Sequence, residues 1–586
     1  MRATQNGTSP VLSSRVGKAP GTMDHTAGNR KEVVSERFFL MVTIALAIIE
    51  VWINRYAING DGVSYLDVGD SYFRGDWPAA VNGYWSPLYS WCVGLALHVI
   101  KPSIWWELIA VHLVNLLIYI GVLFAFRFFL HSVLRTMHEE TGIADDSVPL
   151  PEWIVFGLGY AIFLWASLVL IGTVYVTPDL MVAGLLFLIG GYLVGLIHHE
   201  SYGKFAMFGI LNGLAYLGKA IMFPLGFGLL SILLFSGKMS KRRVYGVLLS
   251  TFLFLMVSLP FIAVLSKAKG RFTFGDSGRL NYAGMVSPNS PPKHWQGEPA
   301  GSGVPKHATR QLLENPAVYE FATPVAGTYP PWYDPSYWNE GVQWTFRLRS
   351  QIRVLVQSAL KYTKMLVDQL GLFAGMLIFI LWGGAPTRRA IISNWPLMAA
   401  AGLSIAAYSL VLVTSRYVGG SMVLLFVAIL AGIRLRRNEL ISPLTKYIAM
   451  AAMATVLFSV TAYLAETAYM SLTVYSDPTQ KDQMRAAEGL RQMGLSAGEP
   501  VAIIGDGTTD YWARLGRFRI VAEAFSPEAG SRRFWSESAE RRKLAYECLR
   551  RTGAKVVVAW NPPESGMDSS WKRVASTSYY VQFLNN

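Results

Sequence analysis

The sequence predicts an α-helical, polytopic membrane protein with a small α/β domain at its carboxyl end. Of the 586 residues, 52% are hydrophobic and 15% are charged. Soluble domains carry about 25% charged residues. The basic residues fall mostly in short gaps between long hydrophobic runs, and the pattern changes to short alternating segments after residue 476. These three observations predict the fold class.

Eleven hydrophobic runs approach or reach the ~20 apolar residues that cross a hydrocarbon core. They cover residues 38–53, 104–126, 153–172, 180–197, 204–219, 221–236, 244–265, 354–382, 391–413, 418–433 and 446–470. A further run, 87–100, is short and ends at Lys101-Pro102, so we expect a helix lying in the membrane interface. The polar, basic residues 1–37 predict a disordered tail.

Positive charge predicts the orientation of the chain in a bacterial-type inner or plasma membrane. Loops that carry an excess of Lys and Arg stay cytoplasmic. The clusters at 238–243, 388–389 and 434–437 meet this rule when the amino terminus is cytoplasmic. The transmembrane domain then covers 38–476, with outside loops at 54–103 and 266–350, and residues 477–586 form an extracytoplasmic domain. The net charge of +14 is not gathered on a soluble face, so no nucleic-acid partner is predicted.

The carboxyl-terminal domain alternates strand-like and helix-like segments. "PVAIIG", "FRIVAEA" and "AKVVVAW" resemble buried strands, and "RRKLAYECLRRTG" resembles an amphipathic helix ended by glycine. This alternation predicts a largely parallel sheet. In the 266–350 loop, "GRFTFGDSGRLNYAG" predicts a hairpin, and "GTYPPWYDPSYWNEG" places aromatic rings among prolines.

Four ionisable residues fall on the same predicted side of the membrane: Asp61, Asp179, Lys219 and Arg416. Ionisable residues at membrane depth are costly and usually line a site, although a single one can be an ordinary charge at a helix end. A carboxylate can accept a proton from a hydroxyl group, and Arg and Lys can hold a phosphate. The four residues together therefore predict a site for phosphate and a hydroxyl group.

The first outside loop adds weaker candidates for binding an acceptor or a metal ion: Asp67, Asp70, Tyr65, Trp85 and Tyr89. Asp67 and Asp70 lie one helical turn apart, and the alternative is that both are solvated helix charges. A divalent cation is possible, and no other cofactor is predicted. The two cysteines indicate neither a disulfide framework nor a zinc site.

The sequence resembles the GT-C superfamily of glycosyltransferases that use polyprenyl-phosphate sugars. It is most similar to the branch of protein O-mannosyltransferases and lipid A aminoarabinose transferases, glycosyltransferase family 39. The matching segments are "NGDGVSYLD", "YWSPLYSW", "TPDLMVAGLLFL", "GLAYLGKAIMFP" and "SRYVGGSMVLL". The resemblance implies a catalytic acid at Asp61 and a second acid at Asp179. Relatives often carry a Lys-Pro-Pro stretch where this chain has Trp85-Ser86-Pro87.

The resulting hypothesis is a membrane glycosyltransferase, either hexosyl- or pentosyltransferase. Asp61 would deprotonate a hydroxyl group of a lipid, glycan or protein acceptor, which would attack the sugar with inversion. Lys219 and Arg416 would bind the donor phosphate. A flippase or transporter for a lipid-linked glycan and a non-catalytic envelope assembly protein are the alternatives. For the enzyme, deletion of 477–586 is expected to alter acceptor choice or stability while leaving the chemical residues in place.

Overall fold

The computed structural model describes residues 25–139, 147–323, 326–473, 479–526 and 529–584. The predicted tail therefore lies partly outside the described residues, as does the predicted domain boundary after residue 476. The prediction of a disordered tail is wrong for residues 25–37, because the first helix begins at His25. Glu36 anchors this extension, since its carboxylate accepts hydrogen bonds from Arg127 (2.7 Å) and His131 (2.8 Å).

Long helices make up most of the amino-terminal four-fifths of the chain. They are His25–Ile53, Ile104–Glu139, Glu152–Leu164 with a wider helical turn at Trp165–Ile171, Asp179–His198, Tyr202–Gly218, Met222–Phe235, Lys241–Lys269, Leu348–Val367, Leu370–Ser393, Trp395–Ser409, Ser415–Ala431 and Pro443–Thr473. Among the described residues, six helices are long and apolar enough to cross a membrane. The chain is a membrane protein. The number of spans and their orientation stay predictions.

The predicted span 354–382 is two helices. Leu348–Val367 and Leu370–Ser393 are separated at Asp368 and Gln369. The first of them is amphipathic, because Arg and Lys recur among its apolar residues along the helix. Gln351 and Ser358 on that helix donate hydrogen bonds to the backbone carbonyls of Leu410 (2.9 Å) and Ser409 (3.1 Å). The sequence pattern merged the two because Val354 begins an apolar stretch.

Shorter helices occur in the predicted outside regions and near the carboxyl end. They are Gly60–Arg74, Trp77–Ala80, Pro87–Ile100, Ser277–Met285, Pro330–Tyr333, Pro335–Trp338, Arg437–Ile441, Thr479–Gln492, Tyr511–Leu515, Arg532–Ser536 and Ala539–Arg551. The helix at Pro87–Ile100 has the predicted bounds. The hairpin predicted from "GRFTFGDSGRLNYAG" is wrong, since Ser277–Met285 is helical.

A seven-stranded sheet forms the carboxyl-terminal part of the molecule. In spatial order its strands are Arg310–Leu313, Val318–Glu320, Arg519–Ala524, Pro500–Ile504, Val556–Trp560, Tyr579–Phe583 and Trp571–Arg573. The three central strands are parallel, and the outer strands pair antiparallel. The first two strands come from residues 266–350, which the sequence pattern predicted to be a loop. A separate two-stranded ribbon pairs Ser147–Pro149 with Arg434–Arg436.

The two faces of the sheet bury different parts of the chain. On one face, Val501 and Val556 belong to a cluster that includes Leu108 of the Ile104–Glu139 helix. On the other face, Ala502 and Val557 pack with the Ala539–Arg551 helix. The sheet therefore rests directly on a membrane helix through one face only.

Candidate active site

A cavity of about 650 Å³ lies where the predicted first outside loop meets residues 177–179, 219–224, 271–285 and 407–417 and the side chain of Trp332. Asp61, Asp179, Lys219 and Arg416 all line it. These residues come from four separate segments, and Asp61 and Arg416 are 355 positions apart. The structure thus brings together in one cavity the four residues that the sequence placed only on a common side.

The four charges form an alternating chain. Arg416 Nη2 lies 2.6 Å from Asp61 Oδ2, and Arg416 Nη1 lies 3.4 Å from Asp179 Oδ2. Lys219 Nζ lies 2.5 Å from the other oxygen of Asp179. Asp179 is almost fully buried, so its charge depends on these two cations. Arg416 is the link, because its fork contacts both carboxylates.

Two glycines allow Asp61 to approach its neighbours. Asp61 stands in the first turn of the Gly60–Arg74 helix. A β-carbon at Gly60 would lie 2.9 Å from the side chain of Thr508, and one at Gly62 would lie 2.7 Å from Cβ of Val176. Real β-carbons do not come this close, so both positions need glycine. This explains the glycines of "NGDG" by packing.

Asn59 joins the two segments that carry the acids, and Asn115 ties the segment before Asp179 to the helix Ile104–Glu139. Asn59 Oδ1 accepts a hydrogen bond of 3.1 Å from the backbone N–H of Val176. Asn115 Nδ2 donates to the carbonyl of Thr173 at 3.0 Å. The Thr177 hydroxyl donates to Asp179 at 2.9 Å. Neither asparagine was predicted, because an asparagine in a loop or helix has no distinctive sequence pattern.

Aromatic rings form one side of the cavity. Tyr65 and Trp85 line it, together with Trp332, whose ring lies 6.0 Å from Trp85. Tyr89 does not line the cavity. Its hydroxyl donates to Asn115 at 2.7 Å, and its ring packs behind Tyr65. Burial, with Asp179 and Asp61 nearby, raises the pKa of Tyr65 well above its usual value, so the phenol stays protonated.

Two further cations line the cavity, and both lie in the predicted outside loop. Arg271 Nη2 pairs with Asp276 Oδ1 at 2.6 Å. Arg279 donates to the carbonyl of Val342 at 3.3 Å, while its Nε and Nη2 are buried without a hydrogen bond to any described residue. No sequence pattern distinguishes these two arginines from other arginines in loops, so they were not predicted.

Comparisons with known proteins bear on the fold of the chain. No family model and no curated protein matches the sequence. Among solved structures, ArnT from Cupriavidus metallidurans in the apo state has a TM-score of 0.52 at 13% identity, covering 94% of this chain and 98% of that chain. ArnT bound to undecaprenyl phosphate has a TM-score of 0.50 at 13% identity, covering 94% and 97%. The chain shares the fold of ArnT.

In this fold, Asp67 and Asp70 contact the carboxyl-terminal domain. Arg514 Nη1 lies 2.7 Å from Asp67 and 2.5 Å from Asp70, and its Nε donates to Glu107 at 3.1 Å. Arg517 contacts Asp70 at 2.8 Å and Glu107 at 2.7 Å. Although burial acts to raise it, Arg514 and Arg517 hold the pKa of Asp70 below its usual value.

This ion-pair network corrects two expectations. Asp67 and Asp70 do not line the cavity, so their predicted part in binding an acceptor or metal ion does not fit the structure. The carboxyl-terminal domain also neutralises acids of the transmembrane domain, so the first outside region is not independent of residues 477–586. Sequence patterns could not find these pairs, since Asp70 and Arg514 are 444 positions apart.

The described residues contain no group of three or more His, Cys, Asp or Glu side chains that could hold a metal ion. Two of the carboxylates that line the cavity, Asp61 and Asp179, both contact the guanidinium of Arg416. A fixed cation of the protein therefore already balances these acids.

Proposed function

We propose that the chain is a membrane glycosyltransferase that moves a sugar from a polyprenyl-phosphate donor to an acceptor hydroxyl group. The observation that carries the proposal is the alternating chain Asp61–Arg416–Asp179–Lys219 in one cavity of a GT-C fold. ArnT, which shares this fold, has been solved bound to undecaprenyl phosphate.

The charge of the cavity supports an anionic donor. Four cations line it, namely Lys219, Arg271, Arg279 and Arg416, against three carboxylates, Asp61, Asp179 and Asp276. Arg suits phosphate because its fork donates two parallel hydrogen bonds, and Lys contributes a point charge. Arg279, whose Nε lies 3.9 Å from Asp276 and whose Nε and Nη2 donate no hydrogen bond to any described residue, offers further donors. We assign the donor phosphate to Arg416 and Lys219, with Arg279 beside them.

The apolar part of the cavity supports a lipid carrier. Ile221 and Pro224 line it on one side, and Val411 and Leu412 line it on the other. Both pairs belong to or adjoin apolar helices, Met222–Phe235 and Trp395–Ser409. We assign this surface to the isoprene units next to the phosphate, because burying an apolar chain against an apolar surface removes both from water and is favourable.

Asp61 is the proposed general base. Its carboxylate is held by Arg416, and a donor phosphate that engages the guanidinium would compete for the same N–H groups. Asp61 would then be free to accept the proton of the acceptor hydroxyl group, whose oxygen bonds to the anomeric carbon as the bond to the phosphate oxygen breaks. Attack from the face opposite the phosphate inverts the anomeric centre.

Asp179 is proposed to position the two cations, because it contacts both Lys219 and Arg416. Lys219 Nζ also lies 3.4 Å from the ring centroid of Tyr417, which further fixes the ammonium group. The cations would stabilise the negative charge that develops on the leaving phosphate. Trp85 and Trp332 would offer ring faces to the sugar. We place this cavity on the extracytoplasmic side, following the distribution of positive charge.

The test is a transfer assay with the purified chain in liposomes containing a polyprenyl-phosphate sugar labelled in the sugar. Recovery of the label in covalent linkage to an acceptor hydroxyl group supports the proposal. Movement of the intact labelled lipid between leaflets without a new glycosidic bond would instead support a flippase. An Asp61→Asn sample separates enzymatic transfer from a contaminating activity.

A further inference from the structure

A second cleft, of about 560 Å³, lies on the carboxyl-terminal sheet and has no part in the cavity described above. It is bounded by the Ala539–Arg551 helix, the turn at residues 566–570 and the end of the Tyr579–Phe583 strand. Its helix covers the sheet face whose described core includes no membrane helix. The cleft is therefore open to the aqueous phase, and Arg542, Lys543, Tyr546, Asp568, Ser570 and Gln582 line it.

The cleft offers positive charge that the described chain does not use. Arg542 Nη1 donates to the carbonyls of Trp535 (3.1 Å) and Glu537 (3.2 Å), and these two bonds fix the guanidinium. No described residue accepts a hydrogen bond from its remaining N–H groups. Lys543 is exposed and forms no ion pair within the described residues. A fixed Arg beside an unpaired Lys is suited to an anionic group.

The two carboxylates in the cleft are already engaged. Glu547 Oε1 pairs with Arg550 at 3.0 Å and Arg551 at 3.4 Å. Asp568 accepts hydrogen bonds from the backbone and the hydroxyl group of Ser570. These two carboxylates lower the net positive charge of the cleft, and their own negative charges would partly repel a densely charged polyphosphate. The cleft favours a ligand whose negative charges are widely spaced.

The remaining lining favours hydroxyl groups and ring faces. The side-chain oxygen of Gln582 is buried and accepts no hydrogen bond from any described residue. A buried acceptor without a donor is costly, and a hydroxyl group of a ligand would supply one. Tyr546 and Phe583 add aromatic surface. Hydroxyl donors, ring-shaped apolar faces and sparse anionic charge occur together in acidic sugars.

We propose that this cleft binds an acidic saccharide, a sugar chain bearing carboxylate or phosphate groups at intervals. Arg542 and Lys543 bind the acidic group, and Gln582 accepts a hydrogen bond from a sugar hydroxyl. The proposal stands apart from the reaction proposed for the membrane cavity, because no residue is shared between the two sites. It gives the carboxyl-terminal domain a binding role of its own, on the side away from the membrane helices.

The test uses the full chain in detergent and titrates it by calorimetry with tetragalacturonate, an acidic tetrasaccharide, and with maltotetraose as its neutral counterpart. We expect binding of tetragalacturonate at least tenfold tighter than that of maltotetraose. Arg542→Gln with Lys543→Gln is expected to weaken tetragalacturonate binding at least tenfold. The matched control, Arg532→Gln with Arg533→Gln, removes two positive charges of the same domain outside the cleft and should change binding less than twofold.

A second variant, Gln582→Leu, tests the hydroxyl contact without changing charge and should weaken binding of both sugars. It also decides the question if the double variant fails to fold. The proposal is overturned if tetragalacturonate does not bind, if the two sugars bind equally, or if a folded cleft variant binds like the wild type. Equal loss in the control pair would show general charge attraction and would overturn it as well.

Discussion

Arg416 donates a hydrogen bond of 2.6 Å to Asp61 and lies 3.4 Å from Asp179, so one guanidinium joins the acids of two separate loops. Asp61 belongs to the first outside region, and Asp179 begins the helix Asp179–His198. The proposed donor phosphate would therefore meet a cation whose position is already set from both sides. The proposed general base and the second acid contact this one side chain, and the donor phosphate is proposed to bind it as well.

Arg416→Lys should lower sugar transfer by about 100-fold. A lysine keeps the charge, but a single ammonium group cannot reach two carboxylates in the geometry of the guanidinium fork. The measurement is the rate of label transfer at saturating donor, alongside thermal unfolding of the purified variant. Arg55→Lys, on a half-buried arginine that does not line the cavity, is the control and should transfer at the wild-type rate. An unimpaired Arg416→Lys would remove Arg416 from the proposed phosphate site.

Gly62→Ala should reduce transfer at least tenfold, since its β-carbon would lie 2.7 Å from Cβ of Val176 and push apart the loops of Asp61 and Asp179. Overpacking of this kind costs about 1–3 kcal/mol. Adding Val176→Ala should restore much of the activity by making room. Gly402→Ala is the control, because its β-carbon meets no atom within 4 Å. Failure of the double variant to recover would point to another cause.

Arg514→Met should destabilise the protein by about 3–5 kcal/mol, the usual cost of leaving buried partners of an ion pair uncompensated. Asp67, Asp70 and Glu107 would then keep only Arg517 and, at 3.9 Å from Asp70, Arg74 as cations among the described residues. Arg551→Met, which breaks an exposed pair with Glu547, is the control and should change stability by less than about 1 kcal/mol. Unfolding temperature in detergent measures both.

The same network changes the expected result of deleting residues 477–586. The sequence alone suggested that the chemical residues would stay in place. Because the deletion removes Arg514 and Arg517, the three acids Asp67, Asp70 and Glu107 would lose their closest cations, and we expect an inactive protein. Co-expression of 477–586 as a separate chain should restore part of the activity if the interface reassembles. Wild-type transfer by the truncated protein would contradict the account.

Asp510 should make the carboxyl-terminal domain less stable as pH rises. Burial, helped by Glu523 and Asp506, raises the pKa of Asp510 to about 7. The folded state therefore holds a proton that the unfolded chain releases near pH 4. The stabilising contribution is present below pH 4 and is lost as pH rises to about 7. Asp510→Asn should remove this loss, so its advantage in unfolding temperature over the wild type should grow from pH 4 to 7.

Hydrophobic patterning predicted the positions of most helices, because apolar length is a local property of the sequence. It failed at Asp368 and Gln369, where a short polar interruption divides two helices. It also missed the strands Arg310–Leu313 and Val318–Glu320, which are too short to show alternation and gain their partners from the distant strand Arg519–Ala524.

Charge patterning predicted that Asp61, Asp179, Lys219 and Arg416 share a side, and the structure adds their contacts. Charge patterning could not predict the partners of Asp67 and Asp70. Arg514 belongs to the distant carboxyl-terminal domain, and no local sequence pattern distinguishes it. Arg271 and Arg279 were missed for a related reason. A cation in a long loop is ordinary until the fold brings it to a cavity.

The most direct measurement is label transfer by Asp61→Asn, in membranes given a labelled polyprenyl-phosphate sugar. Asparagine keeps the shape of the side chain but cannot accept the proton, and loss of a general base costs about 10²- to 10⁴-fold in rate. Asp76→Asn is the control, since Asp76 caps the short helix Trp77–Ala80 and does not line the cavity. The account predicts a transfer rate reduced at least 100-fold for folded Asp61→Asn and an unchanged rate for Asp76→Asn. Full transfer by folded Asp61→Asn would contradict it.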